Sequence, residues 1–255
     1  MPSSAPDTEL RAAAALVFVE DLEAPSLSPE DGHHLGEVLR LRPGETVGAA
    51  DGTGAFRICT FTGTSTAHRR PARGGRESAF GLEAAGALQR TERPEPVLEI
   101  AFSWAKAERT EWAVAKLAEL GLDVLTPLIA DRTVVRPDEH GARRRLQRLQ
   151  RIVREAAMQS RRPLLPRIGD SESVDEIATR AAPGAIALAE PGGGAVSLST
   201  PVVLVGPEGG WSPRELALVR NKVGLGDGVL RVETAAVAAG VLLSALRATA
   251  VLPVA

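Results

Sequence analysis

After Pro96 the chain alternates two hydrophobic periods, and no other feature constrains its fold as tightly. The segments "VLEIAFSW" (97–104), "DVLTPLIA" (123–130), "GAIALAE" (184–190) and "PVVLVG" (201–206) are short and nearly continuous in apolar residues. A strand apolar on both sides has to be covered on both sides, which is the condition of a parallel sheet rather than of an antiparallel sheet with one wet face. Between these runs lie "AERTEWAVAKLAELG" (107–121), a stretch around 142–160, "ESVDEIATRAA" (172–182), a segment starting at Ser212 and another from about Thr234 to Ala248, all with helical spacing. Helices alternating with such strands predict an α/β domain, its parallel sheet held between two helical layers.

The amino-terminal part follows a different rule. "LVFV" (16–19), "ETVGAAD" (45–51) and "AFRICTFTG" (55–63) read as short strands separated by Gly, Pro and Asp turns. Between the first two, Ser28-Pro29-Glu30 opens a segment carrying Leu35, Val38 and Leu39 at helical spacing, so a short helix is expected there. A small β-barrel closed by that helix is the economical architecture. From Thr64 to Pro96 the composition shifts to Arg, Gly, Ala, Glu and Pro, which reads as a loop or linker, with "SAFGLEAAGALQR" (78–90) a candidate helix. The expected organisation is a barrel over 1–75, a linker or variable insertion over 76–95, and the α/β domain over 96–255.

A formal net charge of −2 leaves partners open, so the local distribution matters. Residues 143–167 hold nine arginines against the one acid Glu155, and "HRRPARGGR" (68–76) adds four arginines and a histidine. Such clusters focus positive potential suited to a polyanion, or are simply a solvated helix and a linker. A single cysteine, Cys59, rules out an internal disulfide and a cysteine-ligated metal, and the four histidines have no ligand spacing, so no metal site is expected. Cys59 alternates with apolar neighbours in "AFRICTF" and is expected to be a buried strand residue. The apolar "AAAALVFV" is flanked by acids without a cleavage pattern, and no run approaches bilayer length; no membrane association and a cytoplasmic location are expected.

Two glycine-rich turns stand out late in the chain. In "VVLVGPEGGWSPREL" (202–216), Ser212, Pro213 and Glu215 write a helix start with a capping box, so the loop from Gly206 is held between a strand and a helix. Its glycines suit close backbone approach or positive φ. The loop lacks the Lys-Ser/Thr of a phosphate loop and the spacing of a dinucleotide fingerprint, and Glu208 would repel phosphate. It is either a cradle for an uncharged nucleoside or a cationic methyl donor, or a plain turn with Glu208 in water. The second, "VGLGDGVLRVETAA" (223–236), precedes a nearly apolar helix that Thr234 is expected to cap, with Glu233 near its positive end. Arg231 there either serves a ligand or pairs with Glu233 or another local acid.

"HHLGEVLRLRPGE" (33–45), "KAERTEWAVAKLAELGLDVLTPLIADR" (106–132), "RLQRIVREAAMQS" (148–160), "VLVGPEGGWSPREL" (203–216) and "LGDGVLRVETAA" (225–236) together resemble the bacterial 16S ribosomal RNA uridine N3-methyltransferases of the SPOUT superfamily. The resemblance implies a PUA-like barrel, a carboxyl-terminal domain with a deep trefoil knot, and a homodimer. It also implies S-adenosylmethionine as donor and, as partner, 16S ribosomal RNA in an assembled or nearly assembled small subunit. By the same resemblance the donor contacts Leu204, Val205, Gly206, Pro207, Glu208, Gly209 and Gly210 in the first loop, and Leu225, Gly226, Val229, Leu230, Thr234 and Ala235 in the second. Arg132, Gln159 and Ser160 match further family positions. The chain departs from the family pattern at Arg161, where a glycine is usual, at Gly228 in place of an arginine, and at Val232 in place of a threonine; the opening strand also lacks a customary arginine.

Arg231 is the expected catalytic cation, stabilising charge on the uracil or orienting phosphate, with Glu233, and Glu208 beside it, as candidates for donor placement or proton handling. Arg144, Arg148 and Arg151 share one side of their helix opposite Leu146, Leu149, Val153 and Ala156. With Arg40, Arg42, Arg132, Gln159, Ser160, Arg161 and Arg162 they make up the expected RNA-binding set. Competing readings are a methyltransferase of the same fold acting on another ribosomal or transfer RNA nucleotide, a noncatalytic RNA-binding module, and a nicotinamide oxidoreductase, which the missing fingerprint disfavours.

Overall fold

The computed structural model describes residues 5–63, 80–134 and 139–249; the basic cluster at 68–76 lies outside them. The chain divides into two compact units, one of residues 1–93 with 157–165, the other of 94–156 with 166–255.

In the first unit, α1 (Ala5–Ala12) leads into β1 (Ala15–Phe18), and α2 (Pro29–His33) continues as a wide π turn over His34–Val38. The short helix starts where expected, and Ser28 caps it, its Oγ accepting from the Asp31 N–H at 3.0 Å. β2 (Thr46–Ala50), β3 (Ala55–Thr62), β4 (Gly81–Ala84) and β5 (Gln89–Arg90) complete a five-stranded sheet ordered β1-β2-β3-β4, with β5 also on β3. Among the described residues the pairing is an open path with β1 and β4 at its ends, a small β region of the expected kind with the expected helix beside it. Leu35 from the π turn enters the core beside Ala15, Val17, Val47, Ala49, Cys59 and Phe61, and so covers the sheet. The candidate helix of this segment does not form over its described residues 80–90: Leu82 pairs with Phe61 across β3/β4 and packs on that same core. Pairing with β3 rather than the local preference of Ala, Leu and Glu decides this segment. Cys59 is fully buried, and desolvation pushes its thiol up to about 11 against the opposing effect of Arg57.

The second unit begins with β6 (Glu99–Ser103), α3 (Ala107–Leu120) and β7 (Val124–Ile129), followed by α4 (Glu139–Gln159), whose last turn belongs to the first unit. Then come β8 (Arg167–Ile168), β9 (Glu172–Ser173), α5 (Val174–Arg180), β10 (Ile186–Gly194), β11 (Val202–Val205), α6 (Pro213–Leu218), β12 (Lys222–Val223) and α7 (Val232–Arg247). The seven strands form one sheet, ordered β12-β10-β11-β6-β7-β8 with β9 on β7, and the pairings are all parallel.

Both faces are covered, which is why the strands read as continuous apolar runs. Ala101, Leu128, Val202 and Leu204 point to one side and pack with Val174 and Ile177 of α5 and Trp211 beside α6. On the other side α7 lies against β6, β11 and α3. It approaches α3 so closely that a Cβ at Gly240 would sit 2.5 Å from Leu117 Cδ2.

Buried charges register these layers. Glu99 accepts from Thr126 Oγ1 at 2.6 Å and from both terminal nitrogens of Arg180, which also reaches Glu172 at 2.6 Å. Hydrogen bonding to Glu99 foremost raises the Arg180 pKa above its ordinary value. Arg247, at the end of α7, pairs with Asp123 and donates to the carbonyls of Gly121 at 2.8 Å and Pro96 at 3.1 Å. Asp123 also accepts from the Leu98 N–H at 2.8 Å. Asp123→Ala should cost about 3–5 kcal/mol in urea unfolding, because it strands a buried guanidinium, and the double variant D123L/R247M should recover much of that loss.

Candidate active site

The expected capping box forms as written: Ser212 Oγ accepts from the Glu215 N–H at 3.2 Å, and Glu215 Oε2 accepts from the Ser212 N–H at 2.8 Å. The fully buried Glu215 has a second task, its Oε1 accepting from the Asp131 N–H at 2.9 Å. Asp131 in turn accepts from Ser212 Oγ at 2.5 Å and from Arg214, which also grips Asp175. Hydrogen bonds first to Asp131 and then to Asp175 raise the Arg214 pKa. The loop after β7 is therefore fastened to the start of α6, and from it Arg132 donates to the Gly209 carbonyl at 2.9 Å.

Trp211 fixes the other side of the loop. Its indole Nε1 donates to the Ala189 carbonyl in the middle of β10 at 3.0 Å, and its ring passes so near Gly206 that a Cβ there would lie 2.9 Å from it. Gly206 is a close-approach glycine, whereas Gly210 (φ +69°) and Gly226 (φ +140°) occupy backbone regions that side chains rarely adopt. The register of β10 on β12 shifts between Ala189 and Gly194, which both oppose Val223, and Gly193 meets Gly224 backbone to backbone. That contact carries the second glycine turn up beside the first.

The two turns border one cavity of about 250 Å³ at the carboxyl end of β11 and beside Ala189–Pro191 of β10. Of the residues expected to hold a donor, Val205, Gly206, Pro207, Glu208, Gly210, Leu225, Gly226, Val229, Leu230 and Ala235 border it. Leu204, Gly209 and Thr234 do not: Leu204 points into the core, Gly209 offers its carbonyl to Arg132, and Thr234 is exposed on α7. Thr234 is not the helix cap either. That position falls to Arg231, which makes no side-chain capping bond, because α7 already starts at Val232. Ala189, Glu190, Pro191 and Trp211 border the cavity without having been singled out in the sequence, and Gly228 and Val232, noted there only as departures from the family pattern, border it too. The rule that ligands meet parallel strands at their carboxyl ends would have found the first three.

Arg231 is exposed at the cavity's edge, between the lining residues Leu230 and Val232. It does not pair with Glu233, whose Oε1 lies 3.5 Å from Arg109 of α3; Glu233 Oε2 is buried without a hydrogen bond among the described residues.

The expected RNA-binding residues divide. Arg40, Arg42 and Gln159 are exposed in the first unit; Arg132, Arg144, Arg148 and Arg151 are exposed in the second, with Arg148 paired to Glu111 at 3.2 Å. Leu149, Val153 and Ala156 of α4 are buried as expected, and Leu146 is half-buried. Ser160 is half-buried and bonds the Ala157 carbonyl, and the Arg162 N–H bonds the same carbonyl. Arg161 is the correction. It adopts φ +57°, the backbone region that explains a glycine there, and its guanidinium donates to the carbonyls of Ala13, Ala14, Met158 and Gln159. Its donors are engaged by the protein's own backbone, and burial lowers its pKa.

Among the described residues no group of His, Cys, Asp and Glu is arranged to hold a metal, and no helix is long and apolar enough to cross a membrane.

This architecture matches the family model described as an RNA methyltransferase domain over residues 91–244, and the one described as an RNA methyltransferase PUA domain over 27–66. The ribosomal RNA small subunit methyltransferase E of Mycobacterium bovis is 32% identical over 243 residues, spanning 87% of this chain and 87% of that protein. A crystal structure of the Neisseria gonorrhoeae ribosomal RNA small subunit methyltransferase E bound to S-adenosyl methionine superposes with a TM-score of 0.71 at 25% identity, covering 91% of this chain and 97% of that one. A putative methyltransferase of Legionella pneumophila with bound SAM gives a TM-score of 0.72 at 25% identity, covering 90% and 96%. The chain belongs to the ribosomal RNA small subunit methyltransferase E family, within the SPOUT superfamily of RNA methyltransferases.

Gly206→Ala should push the Trp211 ring aside at a cost of about 1–3 kcal/mol. S-adenosylmethionine affinity in calorimetric titration should fall roughly 10-fold or more, while the far-ultraviolet dichroism stays unchanged.

Proposed function

We propose that the cavity between the two glycine turns binds S-adenosylmethionine, and that the protein methylates N3 of a uridine in 16S ribosomal RNA of the small subunit. The observation that carries this reading is the convergence of both turns on one cavity at the carboxyl edge of a parallel sheet, in a chain matched by its family along most of its length.

The residues present fit that donor. Val205, Leu225, Leu230 and Ala235 offer apolar walls to an adenine ring, and Glu190 and Glu208 place carboxylates beside a cavity meant for a cation. S-adenosylmethionine supplies a methyl group on a positively charged sulfur. The two turns are the stretches that a trefoil knot would bring together.

Neutral uracil carries a proton on N3, so forming the N3–methyl bond requires that proton to leave while negative charge gathers on the ring. Arg231, exposed and without a partner among the described residues, is the cation assigned to that charge. Glu233 does not border the cavity; its pairing with Arg109 assigns it to holding the first turn of α7 against α3. Arg132 acts through the Gly209 carbonyl as a positioning residue. The exposed Arg40, Arg42, Arg144 and Arg151 offer phosphate contacts, which make RNA affinity fall steeply with salt.

A homodimer is part of the same reading: Trp112 on α3 with Val241 and Leu242 on α7 are large apolar side chains left 37–48% exposed, the kind of surface a second copy covers. A cytoplasmic location follows from a ribosomal substrate.

The test is labelled donor with unmodified small ribosomal subunits, followed by mapping of the methylated atom. Arg231→Ala should keep donor affinity within about two-fold and lose at least 100-fold in transfer, the range seen when one charge-stabilising donor is removed. Wild-type turnover by that variant rejects the role of Arg231, and absence of donor binding by the wild type rejects the reading itself.

A further inference from the structure

A second cavity, of about 160 Å³, opens between α3 and α4 beside Trp104, the residue that immediately follows β6. β6 is the neighbour of β11 in the sheet, so this cavity belongs to the same carboxyl edge as the donor site. None of the residues matched to the family's site lines its floor. Trp104, Thr110 and Leu149 are buried there, and Trp104 is held from behind by its Nε1 bond to Ser171 Oγ at 3.2 Å.

The rim is cationic. Arg145 lies over the Trp104 ring with its guanidinium carbon 5.7 Å from the centroid, within the range of a cation–π contact. Its Nη1 is buried and makes no hydrogen bond among the described residues, a charged donor left without an acceptor. Arg144 and Arg148 flank it and are exposed. Glu111 neutralises only Arg148, at 3.2 Å, and two positive charges remain over the cavity.

We propose that this cavity binds one unstacked nucleotide of the RNA strand, its base entering against the Trp104–Arg145 stack and its phosphate meeting Arg144 and the free donor of Arg145. The proposal rests on the reading that the substrate is RNA. A bare phosphate fits poorly, since the floor is apolar and would strip its hydration without returning hydrogen bonds. An apolar ligand leaves the arginines idle. A nucleotide satisfies both layers, and stacking of unpaired bases on aromatic rings and guanidinium planes is how single-stranded RNA is ordinarily held. The cavity thus gives the strand a second grip at the sheet edge that carries the reacting base, which would orient that base without touching it.

The test uses the full-length protein and a fluorescein-labelled pentauridylate, compared with the same phosphodiester chain lacking its bases and with inorganic phosphate. The wild type should bind the abasic chain about 10-fold more weakly than pentauridylate, as loss of one stacked base implies. Arg145→Gln should bind pentauridylate about 10-fold more weakly than the wild type and discriminate little between the two chains. Trp104→Phe, which keeps an aromatic floor, should fall between them, and 5-bromouridine crosslinks should map to Trp104 or to α4. Should Trp104→Phe fail to fold, Arg145→Gln decides alone. Equal wild-type affinity for the two chains, unchanged affinity in Arg145→Gln, crosslinks only elsewhere, or pentaglutamate binding as tightly as the RNA would each overturn the proposal, the last in favour of a protein ligand. Titration of S-adenosylmethionine in parallel separates the two readings: donor binding with no base-dependent RNA affinity removes this cavity alone, and loss of donor binding removes the methyltransferase reading alone.

Discussion

One indole ties the working end of the second unit together. Trp211 comes directly after the first glycine turn, presses on Gly206 at the root of that turn, and hydrogen-bonds Ala189 of β10. Two loops from different strands therefore cannot move independently: shifting the ring alters the Ala189 carbonyl and the Gly206 backbone at once. The ring is itself placed by the capping box of α6, and the box by Glu215, whose buried carboxylate also holds Asp131. A chain of hydrogen bonds thus runs from the loop after β7 through α6 to the cavity wall, each link satisfying a backbone group that would otherwise be orphaned.

The layers of the second unit were legible because their cause is chemical and local. A strand covered twice must be apolar twice, and β6, β7, β10 and β11 each carry that signature. The start of α6 was legible for a similar reason, since Ser212, Pro213 and Glu215 satisfy three backbone positions without help from elsewhere. α7 was misplaced because the rule that found α6 favours Thr234 as a cap. In the folded chain the early apolar residues Val232 and Ala235 are buried beside the cavity, while the Thr234 hydroxyl lies at the surface. The segment over 81–90 was misread for a related reason: its residues favour a helix in isolation, and only the edge of β3 makes a strand of them.

Other parts of the site have no local signature. Arg145 lies 41 positions beyond Trp104, and neither residue alone marks a cavity. Nor does the sequence show that Arg109 rather than Arg231 answers Glu233. Arg161 shows how charge can mislead, since an arginine beside another arginine in a basic segment looks like a phosphate ligand. Here it compensates a left-handed backbone by binding the carbonyls around it, the only currency a non-glycine residue has at that position.

The first unit draws a return segment, 157–165, from far along the chain: Ala157 packs on Leu10, Leu16 and Phe18, and Leu164 bridges to Gly52 and Thr53. Domains usually condense in the order in which they leave the ribosome. Here the packing that Ala157 and Leu164 add to the amino-terminal unit can form only after residue 165 has been made, so what is synthesised first is finished late. For a protein whose substrate is ribosomal RNA, that delay leaves Leu10, Leu16 and Phe18 without their Ala157 cover while the chain is still being made on the particle its mature form is built to recognise.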